Sequence, residues 1–263
     1  MSTFKVAVVS DIHFPDEHPV LWPAFKEWVK EHKPYKIMVL GDLNDLGMLS
    51  SYVQGADDPI FVLPTIQQTV RELNGLLKYV KEIEVDEGNH DERWAKALLK
   101  PHAQKLKGLK GLTLQDQMYA QGLNRRIKWG GESIKRPAVE LGGCKVLARH
   151  GHKQASKWGV VHIAQKGLVE QPTRSSIVGH HHRAQLSCRT TVDGTIISIA
   201  NPCMTGDHDY QTLPNWQRGF TVLEFFGGRT LGTCRSFTPQ IIIADADGRF
   251  AYAGKVYGTR PSR

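Results

Sequence analysis

Five short clusters of Asp, His and Asn stand out in the chain. They are Asp11-Ile12-His13, Gly41-Asp42-Leu43-Asn44-Asp45, Gly88-Asn89-His90-Asp91, His150-Gly151-His152 and Gly179-His180-His181-His182. A lone histidine is usually an ordinary hydrogen-bonded polar residue, but five such clusters call for one shared explanation. Carboxylate, imidazole and amide oxygen without thiolate make a borderline-hard ligand set, suited to Mn²⁺, Fe or Zn²⁺ rather than to Cu(I) or an iron–sulfur cluster. Seven or more such groups exceed the needs of one ion. A two-metal site, with ions about 3.5–4 Å apart and one shared carboxylate, accommodates them.

The clusters need elements that bring them together, and each follows a segment that reads as a strand. Lys5 to Ser10 is a short Val-rich run ended by Asp11. Lys36 to Leu40 closes on Gly41-Asp42, and Ile83 to Val85 leads into Gly88-Asn89. Between them, Leu21, Trp22, Phe25, Trp28 and Val29 fall at helical spacing, as do Ile66, Val70, Leu73, Leu77 and Val80 after a Pro64 start. This βαβαβ order predicts a parallel sheet, whose carboxyl-end crevice is where open α/β sheets bind ligands. From Cys144 onward more strands are expected: Cys144 to Ala148, Ser175 to Val178, Ala184 to Val192, Thr195 to Ala200 and Phe220 to Phe225. Asp193-Gly194 and Asp247-Gly248 read as hairpin turns, so the second half should be largely antiparallel. His162 falls on an expected helix around Val160 to Lys166, as a core or surface residue.

The composition is that of a soluble globular protein: 263 residues, 40% hydrophobic, 23% charged, with 25 Gly and 13 Pro. Collagen, coiled coil, wholesale disorder and a membrane span are excluded, and no secretory leader is apparent. The expectation is one domain over residues 1–263 in the cytoplasm. Cys144, Cys188, Cys203 and Cys234 form no CxxC pair, as expected of reduced thiols. Net charge is +8, and from Asp91 to Arg136 eleven Lys/Arg face four acids, a local excess of +7. That stretch reads as a helix from Glu92 and then a basic, irregular insertion around residues 93–136, broken at Pro101, Gly108, Gly111 and Gly122. Such a surface attracts polyanions, or is simply a solvated face.

The ordered series D-x-H, G-D-x-x-D, G-N-H-D, H-G-H and G-H-x-H, over residues 8 to 182, resembles the calcineurin-like metallophosphoesterase superfamily. Ile199-Ala200-Asn201-Pro202 is similar to the Asn-Pro loop that many members set beside their metals. The resemblance implies a β-sandwich flanked by helices, a four-layer α/β/β/α fold. It implies that Asp11, His13 and His182 hold one divalent ion, that Asn89, His150 and His180 hold the other, and that Asp42 bridges them. His90 would be the catalytic histidine, stabilising or protonating the leaving group, with Asp45 orienting it. An imidazole beside a carboxylate stays cationic and aimed, as a departing alkoxide requires. A hydroxide between the ions would be the nucleophile. His152 is left as a substitute ligand or a neighbour of the site. His181, between two ligands on an extended segment, is expected to point to the other face, as a structural or rim residue.

Protein phosphatases of the superfamily usually read G-D-x-V-D-R-G at the second motif, with an Arg that grips phosphate. Here Leu46 follows Asp45 and that Arg is missing. The G-N-H-D form, with Asp91, is more usual among members acting on phosphodiesters. The resemblance therefore points to a hydrolase of phosphodiesters in nucleic acid or nucleotides, a nuclease or phosphodiesterase using two ions, Mn²⁺ first and Fe or Zn²⁺ next. The alternatives are a phosphomonoesterase acting on a protein or small molecule, and a non-catalytic, metal-stabilised binding module. Asn44, Arg93, His152, His208 and Arg218 are the candidates for substrate contacts. Trp94, Tyr119 and Trp129 in the basic segment are either base-stacking platforms or core. Gly206 to Tyr210 and Trp216 to Arg218 are expected on the rim.

Overall fold

Both faces of the first strand are apolar, so it must be covered twice. In the computed structural model, which describes residues 2–50, 61–100, 104–106, 109–130, 138–152, 162–207 and 215–258, it is. Strand β1 (Phe4–Val9) turns Ala7 and Val9 toward one buried cluster and Val6 and Val8 toward another. It pairs in parallel with β2 (Lys36–Leu40), which pairs with β3 (Glu82–Asp86). The crossovers are α1 (Leu21–His32) and α2 (Val62–Leu76). The βαβαβ expectation is thereby met, with α2 starting two residues before Pro64.

The next crossover departs from expectation. After α3 (Arg93–Leu98), the segment read as an irregular insertion contains α4 (Leu114–Ala120) and β4 (Ile127–Trp129), a parallel fourth strand beside β3. Helix α4 is short, but its start is well made: Thr113 and Asp116 form a reciprocal capping box. Leu114, Met118, Leu123 and Ile127 are buried in the same core as α1 and α2. Much of the supposed insertion is thus part of the sheet and its helical layer. Trp94, Tyr119 and Trp129 also pack against this core, with the Trp94 indole N–H donating to the Leu112 carbonyl (2.6 Å) and that of Trp129 to Glu87 (2.7 Å). All three are partly buried, with part of each ring packed on the core. Residues 101–103, 107–108 and 131–137 lie outside the described residues.

Strands β5 (Val139–Leu141), β6 (Val146–Arg149), β7 (Ser176–Val178), β8 (Gln185–Thr191) and β9 (Gly194–Ala200) form a second sheet in the order β5-β6-β7-β9-β8. The expected β8–β9 hairpin forms, but its turn is Val192-Asp193, one residue before the expected Asp193-Gly194, and Gly194 opens β9. Helix α5 (Ile163–Glu170) covers this sheet, with exposed His162 just before its first residue. Strands β10 (Gly219–Phe226) and β11 (Ser236–Ile243) return to the first sheet, giving the order β11-β10-β1-β2-β3-β4. Asp247-Gly248 is a turn but not a hairpin. β12 (Phe250–Tyr252) pairs with β13 (Lys255–Tyr257) around Ala253-Gly254, both at positive φ, the conformation a tight two-residue hairpin requires.

Val6, Val8, Met38 and Leu40 of the first sheet meet Val146, Ala148, Ile177 and Ile199 of the second in one buried cluster. The layers are therefore α1, α2 and α4, then the first sheet, the second sheet, and α5: the α/β/β/α sandwich anticipated. No helix among the described residues is long and apolar enough to cross a membrane. All four cysteines are free.

Candidate metal centre

Four loops at the carboxyl ends of β1, β2, β3 and β6, and the segment after β7, converge at one end of the two sheets. The first two loops are stitched together by the backbone. The N–H groups of Ile12 and His13 donate to the Asp42 carbonyl (3.0 Å each), Phe14 N–H to Leu43 (2.9 Å), and Asp45 N–H back to Phe14 (3.0 Å). Asp91 fastens the third loop to the second. Its buried carboxylate accepts from Leu43 N (3.1 Å), Asn44 N (3.0 Å), Asn44 Nδ2 (3.0 Å) and Gly88 N (3.0 Å). Gly41 and Gly88 are glycine because the loops touch. A Cβ on Gly41, at φ +83°, would meet Gly88 Cα at 2.7 Å, and one on Gly88 would meet Asp42 Oδ1 at 2.1 Å.

The expected ligands come together in two groups. Donor atoms of Asp11, His13 and His182 lie within 4.8 Å of one another, and so do those of Asp42, His150 and His180. Asn89 joins the second group, its Oδ1 3.0 Å from His150 Nε2, which is itself 3.2 Å from Asp42 Oδ2. Asp42 Oδ2 is also 3.8 Å from His13 Nε2, so this carboxylate faces both groups. Five of these seven residues, Asp11, His13, Asp42, His180 and His182, have positive φ; among the described residues only nine non-glycines do. Side chains disfavour that conformation by roughly 1–3 kcal/mol each, and such strain gathers at functional sites.

The donor chemistry fits two divalent cations. Asp11 and Asp42 are almost wholly buried, yet among the described residues no lysine or arginine is paired with either; they face imidazoles. Burial opposes ionisation of both, but His182 holds the Asp11 carboxyl well below its usual range, and His150 and His90 do the same for Asp42. The same field acts on His150, where burial is outweighed by Asp42 and the imidazole is pushed up to about 10. Its Nδ1–H donates to the Leu40 carbonyl (2.7 Å), which aims Nε2 at the centre, the arrangement by which metal-binding histidines are fixed. His180 moves the other way, to about 3, through burial and the neighbouring His150 charge. His182 Nδ1 is buried without a hydrogen-bond partner. A pair of cations would satisfy these groups together.

His90 sits beside the two groups. Its Nδ1 is 2.8 Å from Asp45 Oδ1 and 3.0 Å from the Asp45 carbonyl, and its backbone N–H donates to Asp42 Oδ1 (2.8 Å). Burial disfavours the His90 cation, but Asp42 and the hydrogen bond to Asp45 outweigh it, so the imidazole is raised above its ordinary value. Donor atoms of His13, Asp42 and His90 also cluster, but His90 Nδ1 is committed to Asp45, and the Arg93 guanidinium 3.3 Å from Nε2 would repel a cation there. Asp45 Oδ1 also lies 3.2 Å from His13 Nδ1, so one carboxylate orients both rings. Both hydrogen bonds overcome burial and hold Asp45 far below the usual carboxylate range.

The candidates for substrate contact divide. Asn44 is wholly buried and does not line the cavity; its amide donates to Asp91 and accepts from Thr69 (2.7 Å), so it braces the loop. Arg93 donates to the Asp45 carbonyl (2.8 Å) and borders His90. His152 lies 5.3 Å from the His150 ring and 3.5 Å from Glu92, outside both donor groups. Arg218 turns away, donating to Thr205 (3.0 Å) and Asp207 (2.5 Å). His208 lies outside the described residues. His181 is corrected: with His180 and His182 both left-handed, strand alternation fails, and His181 lines the same cavity as its neighbours. Burial lowers its imidazole to about 4. Trp216 is on the rim as expected, its ring 4.6 Å from that of His182. Arg183 also lines this cavity, and its only signal in the sequence was its place next to His182. The Asn-Pro loop lies against the start of the first motif, with Asn201 Nδ2 donating to Ser10 Oγ (2.9 Å).

No curated protein matches the chain in sequence. Among solved structures, Vps29 from Chaetomium thermophilum has a TM-score of 0.50 at 13% identity, over 97% of this chain and 98% of that one. Vps29 of Entamoeba histolytica complexed with Zn²⁺ has 0.46 at 15%, over 96% of each. Yfce, a phosphoesterase from E. coli, has 0.43 at 15%, over 89% of this chain and 98% of that one. At such identities the likeness concerns the fold alone. The calcineurin-like phosphoesterase model, in contrast, matches the sequence itself from residue 4 to residue 196, all five clusters included. With that match spanning well over half of its length, the chain belongs to the calcineurin-like phosphoesterase family.

Proposed function

We propose that the chain is a divalent-metal-dependent phosphoesterase whose substrates are phosphodiesters of nucleotides or nucleic acid. The observation that carries the reading is Asp42 facing two donor groups, with His90 beside them held by Asp45. Asp11, His13 and His182 would hold one ion, Asn89, His150 and His180 the other, and Asp42 both. Mn²⁺ is the first ion to try, with Fe and Zn²⁺ after it. When bound, two such ions supply Lewis acidity toward a phosphoryl oxygen and acidify a water.

The remaining chemistry belongs to the chain. Asp45 takes the Nδ1 side of His90, so Nε2, with the Arg93 guanidinium 3.3 Å away, is the side that would stabilise or protonate the departing oxygen. Asp91 and the paired glycines keep Asp42 and Asn89 at fixed separation, so that little reorganisation is needed during reaction. Diester preference is supported by the G-N-H-D motif and by Leu46, which is fully buried where the phosphatases of the family have their Arg. The free thiols fit a reducing compartment, the cytoplasm.

The test is a panel under Mn²⁺ with and without chelator: aryl mono- and diesters, cyclic and linear nucleotides, DNA, RNA and a phosphopeptide. Chelator-sensitive hydrolysis favouring diesters is expected. Metal-loaded protein that hydrolyses none of them would overturn the reading.

A further inference from the structure

We propose that Arg183 is the guanidinium that grips the non-reacting phosphoryl oxygens, and that the Trp216 indole is the wall against which a nucleoside's planar base lies. The inference rests on the phosphoesterase reading and assigns its substrate contacts. A cavity of about 310 Å³ opens at the two donor groups, and its lining includes His13, Asp42 and His90 together with Arg183 and Trp216.

Three arginines stand near enough to be considered, and two are committed. Arg93 is bonded to the Asp45 carbonyl and lies 3.7 Å from its carboxylate, and Arg218 is paired with Asp207. Among the described residues Arg183 makes one hydrogen bond, from Nη1 to the Asn215 carbonyl, and no carboxylate lies within ion-pairing distance. Among the described residues, its other four N–H donors have no partner and can serve a ligand. A planar guanidinium fork matches two oxygens of one phosphoryl group, a geometry lysine lacks.

The segment is well placed to do this. The left-handed residues His180 and His182 break the strand alternation, so His181 and Arg183 turn to the cavity along with the ligands. Gln217 then ties the two rim segments: its N–H donates to the His182 carbonyl (3.0 Å), and its Oε1 accepts from Ala184 N (3.3 Å). Arg183 and Trp216 are thereby held on one rim, with the Trp216 and His182 ring planes steeply inclined at 74°. Phosphate on the fork and a base on the indole describe a nucleoside phosphodiester.

Arg183→Gln and Arg183→Lys, each loaded with Mn²⁺, are titrated with inorganic phosphate by calorimetry. Arg183→Gln should retain the parental metal content and bind phosphate about 10- to 100-fold more weakly, as for a lost hydrogen bond to a charged group, and Arg183→Lys should recover part of the loss. Equal phosphate affinity in the parent and Arg183→Gln overturns the grip. For the wall, KM is compared between the p-nitrophenyl ester of thymidine 5′-phosphate and methyl p-nitrophenyl phosphate, which share a leaving group. Trp216→Ala should lose a preference of about fivefold to a hundredfold for the nucleoside ester; an unchanged preference overturns the wall. A parent that binds phosphate but hydrolyses no ester defeats the phosphoesterase reading, while the titration still judges Arg183. A parent that binds no phosphate defeats both.

Discussion

Replacing Gly88 by alanine tests how closely the centre depends on loop contact. Gly88 has no positive φ, so alanine meets no backbone objection, and only the added methyl matters. That carbon would lie 2.1 Å from Asp42 Oδ1, 2.8 Å from its Cγ and 2.3 Å from its backbone nitrogen, where ordinary contact begins at 3.4 Å. Rotating the carboxylate relieves the first two contacts but not the third, so the loops must part by about 1 Å. A shift of that size at a reacting centre costs on the order of 10²-fold in rate. Overpacking costs about 1–3 kcal/mol of stability. Gly75→Ala is the control, since no atom lies within 4 Å of the added carbon. The assay measures Mn²⁺ stoichiometry and affinity, diester turnover and thermal unfolding for both variants. Gly88→Ala should remain folded at the assay temperature, bind Mn²⁺ more weakly and turn over about 10²-fold more slowly. If its metal affinity and turnover equal the parent's, Asp42 is not the demanding element of the site and the bridging role fails.

Four other outcomes are expected. His90→Ala should keep its metal yet lose on the order of 10²–10⁴-fold in rate on alkyl esters and much less on nitrophenyl esters; an equal loss on both excludes it as the acid. Lys36, buried between Glu82 (2.8 Å) and Glu84, is a structural cation, and Lys36→Met should destabilise by about 3–5 kcal/mol in denaturant titration at pH 7. Burial works against the Glu82 charge but Lys36 outweighs it and lowers the carboxyl below 4.5. The parent's advantage is therefore full above that pH and should shrink as pH falls through the folded value; a gap that widens in acid contradicts the assignment. Cys188 is exposed whereas Cys203 and Cys234 are buried, with burial pushing the Cys203 thiol far up, so an aromatic disulfide reagent should label Cys188 fast and Cys203 only after unfolding. Lys100, Lys105 and Lys110 have no ion pair among the described residues, and replacing all three by Ala should flatten the salt dependence of oligonucleotide binding; an unchanged slope removes them from any nucleic-acid track.

The legible part of the fold was the part with long apolar periods. Helix α1 repeats large apolar residues over three turns, β1 and β2 are mostly buried apolar runs, and Ile83 and Val85 of β3 are buried, so pattern alone located them. Helix α4 buries only Leu114 and Met118 in seven residues, and β4 is three residues long; both hide inside a basic segment. Asp247-Gly248 misled because turn chemistry identifies a bend but not which strand will pair across it. The ligands were readable because the family's motifs are contiguous in sequence. Asn44, His181 and Arg183 were not, because each is decided by backbone geometry: a carboxylate 47 residues away claims Asn44, and left-handed neighbours redirect the other two.

The two donor groups are not divided between the sheets. Asp11 and His13 follow β1 in the first sheet while His182 follows β7 in the second, and Asp42 and Asn89 belong to the first while His150 and His180 belong to the second. Each ion would therefore be a clasp across the seam between layers, joined to both sides. Its binding energy would count toward keeping the sandwich shut, adding to stability as the logarithm of free metal over its dissociation constant. Metal supply would set not only whether the centre can work but how often the two halves breathe apart. A cell poor in that ion would hold a looser, more protease-sensitive form of the same chain.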